Sequence, residues 1–146
     1  MREIKFRGKR LDDGEWVHGF YIYDALYDLH EIIANEPTGG DGYHEPGVSL
    51  VSHQVDPDTI GQFSGYHDKN GREIYAGDKV QLIDNTNTLI QATCEFGIAQ
   101  RYILDNLVDI SCFYFRRLSD GKKTFPIVIN YIGKHDLDIM EIIDND

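Results

Sequence analysis

The side chains that could do chemistry are concentrated in the first half of the chain. Residues 11–68 contain no lysine or arginine, but they include twelve acidic residues and five of the six histidines. Carboxylates and imidazoles ligate metals and carry protons, so a metal site or an acid–base pair would be expected here first. The five histidines are His18, His30, His44, His53 and His67.

The spacing of these residues matches no metal-binding motif. Residues 68–71 (Asp-Lys-Asn-Gly) begin like a calcium loop, but Arg72 stands where a ligand is needed and Glu73 where glycine is needed. His30 and Glu31 begin like a zinc-protease helix, but Ala34 occupies the position of the second histidine. We therefore predict that the protein binds no metal and needs no cofactor.

Nucleophilic and phosphate chemistry also lack a motif. Ser49, Ser52 and Ser64 have histidines nearby in the sequence, but none has the G-x-S-x-G surroundings of a nucleophile elbow. The glycine-rich run 39–42 is followed by no lysine and has acidic neighbours, unlike a phosphate-binding loop. With no catalytic residue to nominate, we predict a protein that is not an enzyme. A dispersed pair of carboxylates is the alternative that an acidic chain leaves open.

Charge limits the class of partner. The chain has 14 Lys and Arg against 25 Asp and Glu, a net charge of −11, which repels nucleic acid at long range. Lys5, Arg7 and Lys9 would share one face of an N-terminal strand, with Arg10 nearby, and we predict a solvated face there. Two nucleic-acid roles remain as alternatives. This strand could bind phosphates weakly, or residues 11–68 could imitate DNA and occupy a DNA-binding protein.

Length and composition indicate one globular domain. A chain of 146 residues, 41% of them hydrophobic, has the usual size of a domain with its own core. No apolar run approaches the ~18 residues of a membrane span and no signal peptide opens the chain, so we expect a soluble protein without a membrane partner. Cys94 and Cys112 are expected to be buried free thiols, as in a reducing compartment.

Turn signals predict a series of β-hairpins. Asp13-Gly14, Asn70-Gly71 and Asp120-Gly121 each lie between β-prone runs, and such pairs accept the positive φ of tight hairpin turns. A softer turn is expected at residues 84–87. Four hairpins in a small domain predict a mainly β, antiparallel fold.

Three segments are less regular. Residues 21–35 fit either an amphipathic helix or a strand, a turn and a second strand. Residues 100–110 likewise fit one helical face or two short strands. The run 36–47 contains two prolines and four glycines and is expected to form an exposed loop.

Aromatic residues make up 12% of the chain, and we expect some of them in the core and others on the surface. The expected core residues are Phe6, Trp16, Phe96, Phe113 and Phe115. Because tyrosine adds contact area at low entropy cost, we predict an aromatic interaction surface as well. Its predicted residues are Phe63, Tyr66 and Tyr75.

Two long passages and one short one resemble a known family. The first comprises residues 2–11 and 14–19, the second residues 55–80 with the run GQFSGYHDKNGREIYAGD, and the third Ile132-Gly133. They resemble the YopX-like family of phage and prophage proteins. Residues 84–130 are only loosely comparable, and Lys134 stands where family members often carry asparagine.

The resemblance implies a mainly β fold with an SH3-like barrel, and it favours strand–turn–strand for residues 21–35. One domain is expected over 1–146, with N-terminal hairpins and the acidic loop in 1–66, barrel strands in 67–135 and an acidic tail in 136–146. A Gly-Asp corner at residues 74–80 should lead into a barrel strand. That strand should have Val80 and Leu82 inside and Lys79, Gln81 and Ile83 outside.

The resemblance carries over no catalytic residue and no biochemical role. The phage genomes of family members imply the cytoplasm of a bacterial host. We predict a non-enzymatic interaction module that binds an unidentified host or phage protein. A nucleic-acid-linked role is the alternative, and a homo-oligomer is compatible with the sequence.

Overall fold

The computed structural model describes residues 3–38, 47–83, 88–125 and 140–144. Over these residues the chain forms two antiparallel sheets and no α-helix, so the predicted mainly β fold is confirmed. The strands are β1 Phe6–Lys9, β2 Trp16–Asp24, β3 Leu29–Thr38, β4 Gly47–Gln54, β5 Gly61–His67, β6 Glu73–Tyr75, β7 Lys79–Ile83, β8 Leu89–Ile103, β9 Asn106–Arg117, β10 Lys123–Thr124 and β11 Glu141–Asp144. Among the described residues, no helix has the length and apolar character to span a membrane.

The chain divides into two compact units, Met1–Gln62 and Phe63–Asp146. This boundary lies close to the subdivision at residues 66 and 67 that the sequence suggests. The single domain expected from chain length stays a prediction.

In the first unit the strands follow the order β4-β3-β2-β1, and β1 also pairs with the first two residues of β5. The β1–β2 hairpin turns at Gly14, whose φ is +73°. At the β2–β3 turn, Asp24 Oδ1 accepts hydrogen bonds from the N–H groups of Leu26 and Tyr27, and Asp28 has a φ of +53°. Residues 21–35 therefore form strand–turn–strand, and the helical alternative is wrong.

The first unit buries one face of its sheet. Side chains alternate between the two faces of a strand, so every second residue of β2 and β3 points to the same side. The core on that side contains the buried residues Val17, Ile32, Ala34 and Val55, with Phe6, Tyr21 and Ile60 packed against them.

The second unit contains a five-stranded sheet in the order β10-β9-β8-β7-β11. The predicted hairpin turns are present at Gly71, between β5 and β6, and at Gly121, between β9 and β10, with φ of +81° and +72°. Strands β8 and β9 meet at a third turn, in which Leu104 and Asp105 both have positive φ. Residues 100–110 are therefore strands rather than a helix. The turn predicted at 84–87 lies outside the described residues.

The predicted corner before β7 is also present. Gly77 has a φ of +101°, and the Asp78 carboxylate accepts a hydrogen bond of 2.9 Å from the Tyr75 N–H. Val80 and Leu82 are buried as expected, while Lys79 is exposed. The core of this unit contains Ile74, Val80, Leu82, Ile90, Ala92, Cys94, Phe113, Phe115, Met140 and Ile142.

Four expectations need correction. The predicted loop 36–47 is shorter than expected, because Glu36 to Thr38 belong to β3 and Gly47 begins β4. The predicted acidic tail contains strand β11, which pairs with β7. Phe96 is half exposed although it is in register with the core residue Phe113, because it lies beyond Cys94, the last residue that β8 contributes to this core. Cys112 is only partly buried. Ile132-Gly133 lies outside the described residues.

Candidate interaction surface

Of the three aromatic residues predicted to form an interaction surface, two are buried and one is half buried. Phe63 and Tyr75 are only 4% and 2% exposed, and their rings lie 5.5 Å apart between centroids. Tyr66 is half buried and packs against the core of the second unit. Phe63 and Tyr75 bury their rings against each other, so these two side chains leave little area for contact with a partner.

An exposed apolar surface lies instead in the first unit, on the side of the sheet opposite its core. Phe20 on β2 is in register with Ile33 on β3, and Asn35 on β3 with Leu50 on β4. We call this surface the open face and define it by His18, Phe20, Ile33, Asn35 and Leu50.

The open face carries large apolar side chains that are exposed to solvent. Phe20 is 61% exposed, Leu50 is 68% exposed, and Val48 continues the surface along β4 at 70%. A groove of about 270 Å³ runs across it, bounded at one end by Glu3, Ile4 and Lys5. Contiguous exposed apolar side chains with a concave centre are typical of a protein-binding surface.

Gly19 fixes the shape of this groove. A Cβ atom at this position would lie 2.0 Å from the backbone oxygen of Ile33, so β2 and β3 approach each other there only because the residue is glycine. The close approach brings Phe20 and Ile33 together beside the groove.

A cationic margin borders the open face along β1. The Arg7 guanidinium lies 4.3 Å from the centre of the Trp16 ring, and the Lys9 ammonium lies 5.2 Å from it. Lys5, which also lines the groove, is 3.6 Å from a Glu3 carboxylate oxygen. Arg7 is buried against the ring, so its charge is held within the fold rather than extended into solvent.

Several acids of the base-free stretch 11–68 have local structural partners. Arg10 donates two hydrogen bonds to Asp12, and this pairing holds the pKa of the Asp12 carboxyl below its ordinary value. Asp28 accepts a hydrogen bond of 2.8 Å from the Tyr23 hydroxyl. Glu36 pairs with His53. These acids thus act in turns and cross-strand pairs.

No group of three or more potential metal ligands comes together within the part of the chain that the structure describes. His30 shares a hydrogen bond of 2.6 Å with the Tyr21 hydroxyl and stacks on Tyr23. His44 lies outside the described residues. The absence of a bound metal stays a prediction.

The far end of the β8–β9 ribbon is a second exposed apolar region. Ile98, Tyr102, Leu104 and Leu107 are at least half exposed there. The Arg101 guanidinium lies 4.3 Å from the centre of the Phe125 ring.

Comparison with known proteins identifies the family. The chain matches the family described as YopX protein over residues 5–116. It belongs to the YopX family. No curated protein and no solved structure matches the chain.

The passage that carries the YopX resemblance supplies scaffold residues. Asp68 accepts hydrogen bonds from the N–H groups of Asn70 and Arg72, each 2.9 Å long, and from the Arg72 guanidinium. Burial raises the pKa of the Asp68 carboxyl, but these bonds and one from the Ile142 N–H outweigh burial, and its pKa is lowered. The YopX motif thus holds a hairpin and a terminal strand in place.

The open face was not found from the sequence, although a signal for it exists. Strand β2 has apolar residues on both sides, with Val17 and Tyr21 alternating with Phe20 and Ile22. A strand with one solvated face normally alternates apolar and polar residues. Apolar residues on both faces of β2 therefore mark a second buried or partner-binding face.

Proposed function

We propose that this member of the YopX family is a non-enzymatic interaction module whose open face binds another protein. The exposure of Phe20 and Leu50 on either side of a groove is the observation that carries this proposal. Large apolar side chains around a concave centre are the usual anchors of a protein interface.

The partner that suits the open face presents an apolar side chain with an acidic group beside it. The apolar side chain would enter the groove between Phe20, Ile33 and Leu50. The acidic group would lie towards Lys5 at the cationic margin, where opposite charges guide encounter and orientation.

The expected energy of this contact can be estimated. Burying a Phe or Leu side chain contributes about 1.5–3 kcal/mol. Replacing Phe20 and Leu50 together by serine should therefore cost about 3 kcal/mol or more of binding free energy, which is roughly a hundredfold loss of affinity.

Paired affinity capture tests the proposal. The wild-type protein and a Phe20→Ser, Leu50→Ser variant are used as bait in bacterial lysate treated with nuclease. The control is Leu26→Ser, which changes an 81% exposed side chain in the β2–β3 turn and leaves the open face intact. We expect one protein to be captured by the wild type and the control and lost by the double variant. A captured protein that all three baits retain equally would contradict the proposal.

A nucleic-acid-linked role is the second candidate, and the contacts of the charged residues make it less favourable. All four basic side chains near β1 have contacts within the fold, because Arg7 and Lys9 lie over the Trp16 ring, Lys5 lies beside Glu3, and Arg10 pairs with Asp12 and Asp13. DNA imitation requires acids spaced like phosphates on one rigid face, whereas Asp28 and Glu36 serve local contacts. DNA binding by the purified protein that weakens steeply with salt would favour this candidate instead.

We further propose an SH3-like barrel for the strands of the second unit, a phage origin, and action in the bacterial cytoplasm. Membership of the YopX family and the antiparallel pairing of the strands of this unit support these proposals. A rigid barrel with variable loops suits a binding protein, because binding residues can change without altering the core. An experimental structure in which β7 to β11 do not close on one another would exclude the barrel.

A further inference from the structure

Strand β4 is an edge of the first unit's sheet, with no neighbour on its outer side among the strands that the structure describes. The Val55 N–H donates a hydrogen bond of 2.9 Å to the His30 oxygen. This bond shows that the backbone groups of the odd-numbered residues of β4 are the ones that face β3. Because backbone groups alternate along an antiparallel strand, Ser49, Val51 and His53 point their N–H and C=O groups at β3. The remaining residues point theirs outward.

The outward backbone groups belong to Val48, Leu50 and Ser52. No described strand pairs with this part of β4, and the next outward carbonyl, that of Gln54, already accepts a hydrogen bond from the Leu11 N–H. The available edge is therefore Val48 to Ser52.

This edge lacks the features that normally prevent strands from pairing. Residues 47–54 (GVSLVSHQ) contain no acidic residue, no lysine, no arginine and no proline, and the register with β3 is continuous without a bulge. Natural edge strands usually carry such charges, prolines or bulges. In a chain with a net charge of −11, the edge is a place where two copies can meet without charged side chains opposing each other.

We propose that β4 pairs antiparallel with β4 of a second copy, about a two-fold axis through Leu50. In this register Leu50 opposes its own counterpart, and Val48 opposes Ser52 of the other copy. The outward N–H and C=O groups of each copy then lie opposite outward C=O and N–H groups of the other, because Val48, Leu50 and Ser52 are alternate residues of the strand. Side chains of the open face from two copies become neighbours, so Val48 and Leu50 lose exposed apolar area on pairing.

The pairing predicts a particular dependence on salt. Two copies with a charge of −11 repel each other, and the strand contact itself has no ion pair to weaken. Added salt should therefore strengthen dimerisation through screening. A partner recognised through Lys5 would instead bind more weakly at high salt, which separates this dimer from the proposed function.

Proline substitution at an outward position tests the edge. Ser52→Pro removes an N–H that does not bond to β3, so the fold is retained, while two inter-copy hydrogen bonds are lost. The matched control is Ser52→Ala. Sedimentation equilibrium should give twice the 16.7 kDa chain mass for wild type and control, with dimerisation at least tenfold weaker for Ser52→Pro at an unchanged melting temperature. A wild type that stays monomeric at high concentration and salt, or a Ser52→Pro dimer of wild-type strength, would overturn the proposal.

Cysteine cross-linking tests the register and does not depend on the proline variant folding. Directly opposed residues of an outward pair lie about 5.5 Å apart between Cα atoms, within the disulfide range. Leu50→Cys, in a Cys112→Ser background, should therefore form a covalent dimer under mild oxidation. Val48→Cys should not, because its two copies would lie roughly 14 Å apart along the strand. Equal cross-linking at both positions, or none at Leu50→Cys, would overturn the two-fold register.

Discussion

The Asp68 carboxylate accepts a hydrogen bond of 3.2 Å from the backbone N–H of Ile142, which lies 74 residues later in the chain. The Arg72 guanidinium in turn donates to the Ile142 oxygen at 2.9 Å. One hairpin turn thus uses an acid and a base to hold strand β11 at the edge of the second unit's sheet. The residues that carry the YopX resemblance therefore maintain the fold.

The first prediction concerns the stability that Asp68 supplies. Because the buried carboxylate accepts several hydrogen bonds, Asp68→Asn should lower the free energy of unfolding by about 2 kcal/mol. The native pKa of Asp68 is lowered, so its contribution is present above pH ~4 and is lost as the pH falls further. Urea unfolding at pH 7 and pH 3 should show a difference between wild type and variant that shrinks at the lower pH.

Asp120→Asn is the matched control for this experiment. Asp120 also accepts a hydrogen bond from a turn N–H, that of Lys122, but it is exposed. Its replacement should change the free energy of unfolding by less than about 0.5 kcal/mol. Equal losses at both positions would contradict the role assigned to Asp68.

The second prediction concerns the backbone beneath the open face. Gly19→Ala places a methyl group against the Ile33 oxygen and should cost about 2–3 kcal/mol of unfolding free energy. Gly14→Ala meets no atom within 4 Å and should cost only about 1 kcal/mol, from its positive φ. Chemical denaturation of both variants measures the difference, and similar losses would mean that Gly19 is not required for the close approach of β2 and β3.

The third prediction concerns the Trp16 ring and the cations above it. Trp16 is the single tryptophan of the chain, so its fluorescence reports on the first unit. Arg7→Met should lower the free energy of unfolding by about 1 kcal/mol, because the buried guanidinium lies closer to the ring than the Lys9 ammonium does. Lys9→Met should have a smaller effect. The opposite order in urea unfolding followed by fluorescence would show that the Arg7–Trp16 contact contributes little.

The fourth prediction concerns metal ions. His53 already pairs with Glu36 and His30 with Tyr21, so these two histidines are engaged in contacts within the fold. Thermal melts in EDTA, zinc and calcium should therefore superimpose. A melting temperature that rises by several degrees at one equivalent of one ion would reveal a site.

Local turn chemistry is the part of this fold that the sequence predicts best. Gly71 and Gly121 occupy the expected turns with positive φ, because this backbone conformation depends mainly on residue type. Even the buried positions of Val80 and Leu82 follow from alternation after the Gly77-Asp78 corner.

The interaction surface could not be predicted in the same way, because burial depends on contacts between distant strands. Phe63 and Phe20 are both aromatic residues in β-prone runs, yet one is buried and the other is 61% exposed. The difference arises from which strand face is covered, and that is set by the pairing of β2, β3 and β4. The turn before β9 also escapes prediction, since Leu104 and Asp105 adopt positive φ without glycine.

Photo-crosslinking in bacterial cells tests the central claim most directly. A photoreactive phenylalanine analogue is placed at Phe20, at Tyr27 in the β2–β3 turn, or at Tyr102 on the β8–β9 ribbon; all three side chains are more than half exposed. We expect the analogue at position 20, but not at positions 27 or 102, to form an adduct with a partner protein. An adduct between two copies of this chain would instead indicate the β4 pairing. If the analogue at position 102 crosslinks to a partner protein and the analogue at position 20 does not, the claim that the open face is the binding surface would be contradicted.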